Sequence, residues 1–238
     1  MRGVDAGYIA IMALAIATGL IVRRWVSPPL QIPRWQRFAV TVGAVVGGTV
    51  GAKIPWLVMD PEGLLNGRVW LSDGRTITFG LVGGYLGVEL AKAAAGVRVK
   101  TGDSFAVPLA TTIAIGRLGC FWSGCCFGAP TNLAWAVTTD GVARHPTQLL
   151  EFTFHLAAAV ALYQLGKANR FPRQRVKLYF LAYFVYRFAT EWLRPEPKMA
   201  LGLTLYQWAT LAFVPLFLVL WWLDRKPASD LEPEPQTA

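Results

Sequence analysis

Charge is scarce in this sequence. Asp, Glu, Lys and Arg make up 16% of the 238 residues, where a soluble domain carries about 25%. Histidine is scarcer still, with two in the whole chain, and the three cysteines fall together at Cys120, Cys125 and Cys126. Two histidines and three cysteines in this arrangement make no recognisable zinc spacing. The first apolar run, Tyr8 to Val22, lacks a small-residue cleavage site and ends in Arg23-Arg24. It reads as a retained helix and not as a signal peptide. There is no internal repeat and no separate soluble domain. The net charge of +9 does not indicate a nucleic-acid partner, because the basic residues sit in short loops between apolar blocks, where topology signals belong.

Apolar residues supply what charge does not. They form 54% of the chain, in blocks long enough to cross roughly 30 Å of hydrocarbon. Seven such blocks run over 5–22, 38–58, 77–97, 104–125, 148–166, 177–194 and 201–223. Gly43, Gly47 and Gly51 form two small-xxx-small steps and predict a close helix–helix approach. Alternate loops are strongly basic: Arg23, Arg24, Arg34 and Arg37; Arg98 and Lys100; Lys167, Arg170, Arg173, Arg175 and Lys177. The intervening loops mix signs. The positive-inside rule then gives an all-α membrane protein of about seven transmembrane helices, N-terminus outside and C-terminus cytoplasmic. Residues 1–223 are expected to form one transmembrane domain, and 224–238 a disordered polar cytoplasmic tail.

With that orientation, polarity gathers toward the outer leaflet. Lys53, Arg117, His145, Gln148, Glu151, Arg187, Glu191, Tyr206 and Gln207 all fall there. Glu89 lies deeper. A charge on a membrane helix costs at least ~2.5 kcal/mol and is read as functional by default. Arg117 has no carboxylate within four residues, so its partner comes from another helix or from a ligand, and a guanidinium suits phosphate. Several of these residues also have plainer readings. Arg187 and Glu191, four apart, can neutralise each other on one helix face. Lys53 can snorkel to the interface. His145 can serve a helix start, and His155 sits among apolar residues as a packed side chain. The cysteines read either as small packing groups or as a nucleophile or redox pair.

Residues 116–128, Gly-Arg-Leu-Gly-Cys-Phe-Trp-Ser-Gly-Cys-Cys-Phe-Gly, resemble the signature of the prolipoprotein diacylglyceryl transferases, Gly-Arg-x-Gly-Asn-Phe-x-Asn-Gly-Glu-x-x-Gly. Asp103 and Pro108 look like the residues leading into that motif. His145-Pro146-Thr147-Gln148-Leu149-Leu150-Glu151 is similar to the family's His-Pro-Ser/Thr-Gln-Leu-Tyr-Glu. Arg187-Phe188, Glu191 and Arg194 look like its Arg-Phe-x-x-Glu-x-x-Arg. Gly202-Leu203-Thr204 with Gln207, and Gly51-Ala52-Lys53, match two further segments.

The resemblance implies an enzyme of the bacterial inner membrane that moves a diacylglyceryl group from phosphatidylglycerol to the cysteine thiol of a prelipoprotein, without metal or cofactor. By position, Arg117 would hold the lipid phosphate and Arg187 would be a second cation. Glu151 and Glu191 would orient them, and His145 with Gln148 would shape the outer mouth. Lys53 and Gln207 join the substrate-binding set, and Cys125 the catalytic one. Three family residues are replaced: Asn by Cys120, Glu by Cys125, and a histidine of the third block by Val82, which cannot accept a proton. Glu89 or a cysteine thiolate would then have to act as the base. Two alternatives keep the scaffold: a non-catalytic phospholipid-binding protein, and a membrane thiol–disulfide protein using Cys120, Cys125 and Cys126.

Overall fold

The computed structural model describes residues 5–27, 31–71 and 76–224, so the expected tail over 225–238 lies outside the described residues. The elements follow the apolar blocks. Helix α1 is Ala6–Val26, α2 Arg34–Lys53, α3 Trp56–Met59, α4 Pro61–Leu65, α5 Arg68–Leu71, α6 Ile77–Ala94 and α7 Asp103–Ser123. A hairpin of β1 (Val137–Thr139) and β2 (Val142–Arg144) precedes α8 (Thr147–Lys167), α9 (Arg175–Thr190) and α10 (Leu205–Leu223). Each of the seven blocks is thus a long helix. Four of them (α1, α7, α8 and α10) are long and apolar enough to cross a membrane.

The boundaries differ from the blocks where local chemistry intervenes. The second block continues apolar to Val58, but α2 stops at Lys53, because a helix ends before a proline and Pro55 follows. The fourth block's helix stops at Ser123, with Gly124 left-handed at φ 68°, a conformation glycine adopts without strain. Helix α10 starts at Leu205, not at 201. Thr204 and Gln207 form a reciprocal capping box there, which satisfies two otherwise orphaned N–H groups. The β-hairpin is a feature the periodicity does not signal. Asp140 and Gly141 at its tip both have positive φ, as a two-residue hairpin turn requires.

The glycine stripe of α2 packs on α6. A Cβ on Gly47 would run into the carbonyl oxygen of Gly83, and one on Gly43 into that of Gly87. Close backbone approach of this kind gives van der Waals contact where lipid offers no hydrophobic drive. The buried core joins Leu81 and Val82 of α6, Ala106 and Ala110 of α7, and an aromatic group from α9 and α10, including Tyr179, Tyr183, Phe184 and Phe217. Large apolar side chains meanwhile face outward: Trp25 is 82% exposed, Phe38 71% and Leu90 72%. A surface of that kind suits lipid better than water.

The long helices run in alternating directions, so the two ends of the bundle can be told apart. At one end Trp122 Nε1 donates to the Asp5 carboxylate (3.1 Å), the Thr76 N–H to the Ala52 carbonyl (3.2 Å), and Phe79 meets Tyr206. At the other end Ser27 Oγ donates to the Ser104 carbonyl (3.2 Å) and Gln36 to that of Ala95 (2.9 Å). Asp224, just past α10, is clamped there between Lys100 (2.6 Å) and Lys177 (2.5 Å). Burial tends to raise the Asp224 carboxyl, but the two lysines outweigh it and hold it below the usual carboxylate range.

Candidate active site

The end bearing Asp5 and Trp122 collects Arg117, Glu151, Arg187 and Glu191, all buried, while the buried Lys92 and Lys177 lie toward the opposite end. Arg117 lies two turns before the end of α7. Glu151 is in the second turn of α8, Arg187 in the last turn of α9, and Glu191 opens the 3₁₀ turn Glu191–Leu193 that continues it. Glu151 is 1% exposed and is the hub. The Arg117 Nε faces its Oε2. Its Oε1 takes Arg194 Nη2 at 2.9 Å and Arg187 Nη1 at 3.4 Å. Arg187 also reaches Glu191 at 2.8 Å and lies over the Tyr206 ring, 5.1 Å from its centroid. Glu191 accepts the Thr204 hydroxyl at 2.8 Å, which links the cluster to the α10 cap.

Arg117 therefore finds its carboxylate on another helix, and the Arg187–Glu191 pair forms at the expected i,i+4 spacing. Three guanidiniums against two carboxylates leave one net positive charge in a buried cluster. Planar guanidiniums in this setting are suited to bidentate recognition of a phosphate.

The remaining candidates are placed as follows. Gln148 Nε2 donates to the Cys125 carbonyl (2.6 Å) and the Thr147 hydroxyl to that of Cys126 (2.8 Å), so the first turn of α8 fixes the loop after α7. Backbone bonds from Gly128 and to Ala129 hold His145 beside that loop, and its ring Nδ1 has no hydrogen-bond partner among the described residues. Gly128 is packed so tightly that a Cβ would lie 2.6 Å from the Leu193 carbonyl oxygen. Gln207 is occupied with the cap and the Phe188 carbonyl (3.3 Å). Lys53 is 2% exposed and donates to the Val69 carbonyl at 2.7 Å, so it is buried within the protein and does not reach out to an interface.

Glu89, in the second half of α6, pairs with Lys92 at 3.0 Å. It lies about 10 Å along the helix from Val82, away from the arginine cluster. Val82 is buried. His155 is fully buried one turn below Glu151, receives or gives a hydrogen bond with the Tyr179 hydroxyl (2.8 Å), and packs against Phe154 and Tyr183. It is a packed residue, as its neighbours in sequence suggest.

Arg194 joins the cluster through Glu151; charge counting passes over it, because it is tallied with a mixed-sign loop, and only the family motif singles it out. Glu191 lies four residues after Arg187, and Arg194, extended just past the 3₁₀ turn, swings back to the same cluster. The three cysteines form a second grouping. Their sulfurs all lie within 4.8 Å of one another, all three are free thiols, and Arg117 Nη1 is 3.8 Å from Cys120 Sγ. Next to the cluster at Tyr206, a mostly apolar cavity is lined by Met59, Glu196, Pro197, Met199, Leu205 and Tyr206.

Comparison with known proteins agrees with the geometry. A family model described as prolipoprotein diacylglyceryl transferase matches residues 6–223. The chain is 27% identical over 226 residues to phosphatidylglycerol–prolipoprotein diacylglyceryl transferase 2 of Clostridium perfringens, covering 90% of this chain and 86% of that protein. It is 30% identical over 220 residues to a transferase of the same name, without the numeral, from Methylococcus capsulatus, covering 86% and 82%. A third, from Nitratidesulfovibrio vulgaris, is 31% identical over 197 residues, covering 79% and 73%. The arginine cluster and nearly all of the helical scaffold that carries it fall within the matched region, and the chain belongs to the prolipoprotein diacylglyceryl transferase family.

Proposed function

We propose that this protein transfers the diacylglyceryl group of phosphatidylglycerol to a lipoprotein cysteine thiol. The observation that carries this reading is the buried hub in which one carboxylate, Glu151, holds Arg117, Arg187 and Arg194. The excess positive charge suits one phosphodiester. Arg117 and Arg187 bind the headgroup phosphate and stabilise it as it departs with the glycerol. Glu151 and Glu191 fix the guanidiniums so that little reorganisation is needed when charge develops. The apolar cavity beside Tyr206 supports placement of the lipid at this end. Gln148, with His145, holds the loop of the mouth, while Lys53 and Gln207 brace the helix ends behind it.

The protein is a seven-span bundle of the bacterial inner membrane, folded as one domain over 1–223, with N-terminus outside. Support comes from the seven long helices and from basic residues concentrated at the end opposite the hub. The site then faces the outer leaflet and the emerging prelipoprotein. A lipid-binding protein without turnover is the second reading, favoured by the buried Val82 at the family's histidine position. Expression in cells depleted of their own transferase, following the mass and membrane anchoring of a reporter lipoprotein, separates the two. Restored modification supports transfer. Folded, membrane-inserted protein that leaves the reporter unmodified overturns it.

A further inference from the structure

We infer that Cys120, Cys125 and Cys126 form a three-thiolate site for a zinc ion whose fourth position receives the acceptor thiol. The site stands on its own geometry; its role rests on the transferase reading above. Spacing alone argues against metal binding, but the backbone overrides spacing. Helix α7 ends at Gly124 with a left-handed residue, and the Cys125 N–H bonds back to the Cys120 carbonyl at 3.1 Å. Cys126 is itself left-handed at φ 57°. This double reversal turns Cys125 and Cys126 back over Cys120, so that all three sulfurs lie within 4.8 Å of one another. Thiolates sharing one zinc at about 2.3 Å stand about 4 Å apart, so small side-chain rotations complete the set.

The loop is held for this purpose from outside. Gln148 and Thr147, both 2% exposed, bind the carbonyls of Cys125 and Cys126 (2.6 and 2.8 Å), and Ser123 Oγ donates to Cys125 Sγ at 3.2 Å. Such outer contacts orient metal ligands. Arg117, held by Glu151, places Nη1 3.8 Å from Cys120 Sγ. A disulfide would use two of the sulfurs and give no account of the third. Thiolates select soft ions, and a three-ligand zinc keeps an open position.

The reaction needs a deprotonated thiol, and Val82 cannot provide for that. A thiol bound to zinc is deprotonated outright. The acceptor cysteine enters the open position and releases its proton to solvent. Its sulfur forms a bond to the diacylglyceryl carbon as the carbon–oxygen bond to phosphate breaks. The electron pair leaves with the glycerol phosphate, which takes up a proton from solvent. No oxidant or reductant takes part.

The test uses the full chain, purified in detergent under reducing conditions, stripped of metal and titrated with cobalt(II), then zinc. The expected result is stoichiometric cobalt binding with thiolate-to-cobalt charge-transfer and tetrahedral d–d absorption, displaced by zinc. Cys120→Ser, Cys125→Ser and Cys126→Ser each weaken or alter this spectrum while thermal unfolding shows a folded protein. A peptide with a free lipobox cysteine shifts the d–d bands, and its serine analogue does not. Absence of stoichiometric binding with all three thiols titratable overturns the site, as does a spectrum indifferent to the cysteine variants. Metal bound without a response to the cysteine peptide overturns the activating role. Metal and peptide responses that persist without any lipid transfer count against the transferase reading and leave the site standing.

Discussion

Arg194 and Glu151 meet at 2.9 Å between Nη2 and Oε1, which joins the segment after α9 to the second turn of α8. The contact makes Glu151 the shared anion of three arginines. Removing that anion leaves three buried positive charges facing one another, with Glu191 as their remaining carboxylate, a situation that is costly when one member of a buried ion network is deleted. Glu151→Gln should therefore lower both thermal stability and transfer to a lipobox peptide, the latter by about 100-fold or more. Wild-type activity in this variant would show that the hub is not part of the site.

Arg117→Lys tests the kind of cation required. Lysine keeps the charge but loses the planar fork that contacts carboxylate and phosphate at once. Transfer should fall nearly as far as in Arg117→Ala, with lipid binding weakened in both. Equal activity of arginine and lysine would mean that the site needs only a point charge.

The contact between α2 and α6 separates neighbouring glycines. A Cβ on Gly47 meets the Gly83 backbone, whereas one on Gly48 would rest 3.6 Å from the Gly80 oxygen, an ordinary contact. Gly47→Val should cost about 1–3 kcal/mol by overpacking. Gly48→Ala should be neutral or stabilising by up to about 1 kcal/mol through helix propensity. Thermal melts in one detergent compare the pair directly.

Asp224 predicts an acid-sensitive lock at the opposite end. Its carboxyl is held below the ordinary value, so its stabilisation is fully present above the unfolded value and is lost as pH falls through the folded one. The melting temperature of wild type should exceed that of Asp224→Asn at neutral pH. The gap should close on acidification past the carboxylate range. A gap constant with pH would show that the Lys100 and Lys177 contacts contribute no charge-dependent stability.

The positions of the long helices are legible in the sequence because each is a long apolar run, and the role of the Gly43, Gly47 and Gly51 stripe because it repeats every four residues. The meeting of Arg117 with a carboxylate on another helix was also foreseeable, since an isolated buried cation needs one. Other features depend on single backbone conformations and leave no period to read. The hairpin is three residues per strand, with only Asp140-Gly141 to announce it. The cysteine grouping follows from left-handed Gly124 and Cys126, which sequence spacing cannot express. Arg194 stands in the family motif, but a tally of loop charges, which ignores which way a side chain turns, gives no sign of its contact with Glu151. Lys53 reads in sequence as a residue reaching for an interface, yet it is buried and donates to the Val69 carbonyl of α5.

The unequal count of three guanidiniums to two carboxylates has a consequence for how the protein lives in its bilayer. An unfilled hub keeps like charges crowded together, and a bound anionic headgroup relieves that repulsion in the native state alone. By mass action the fold is then more stable wherever such lipid is abundant. The chain would sense membrane composition through its own melting point, rising with phosphatidylglycerol and unmoved by a neutral lipid of the same acyl chains.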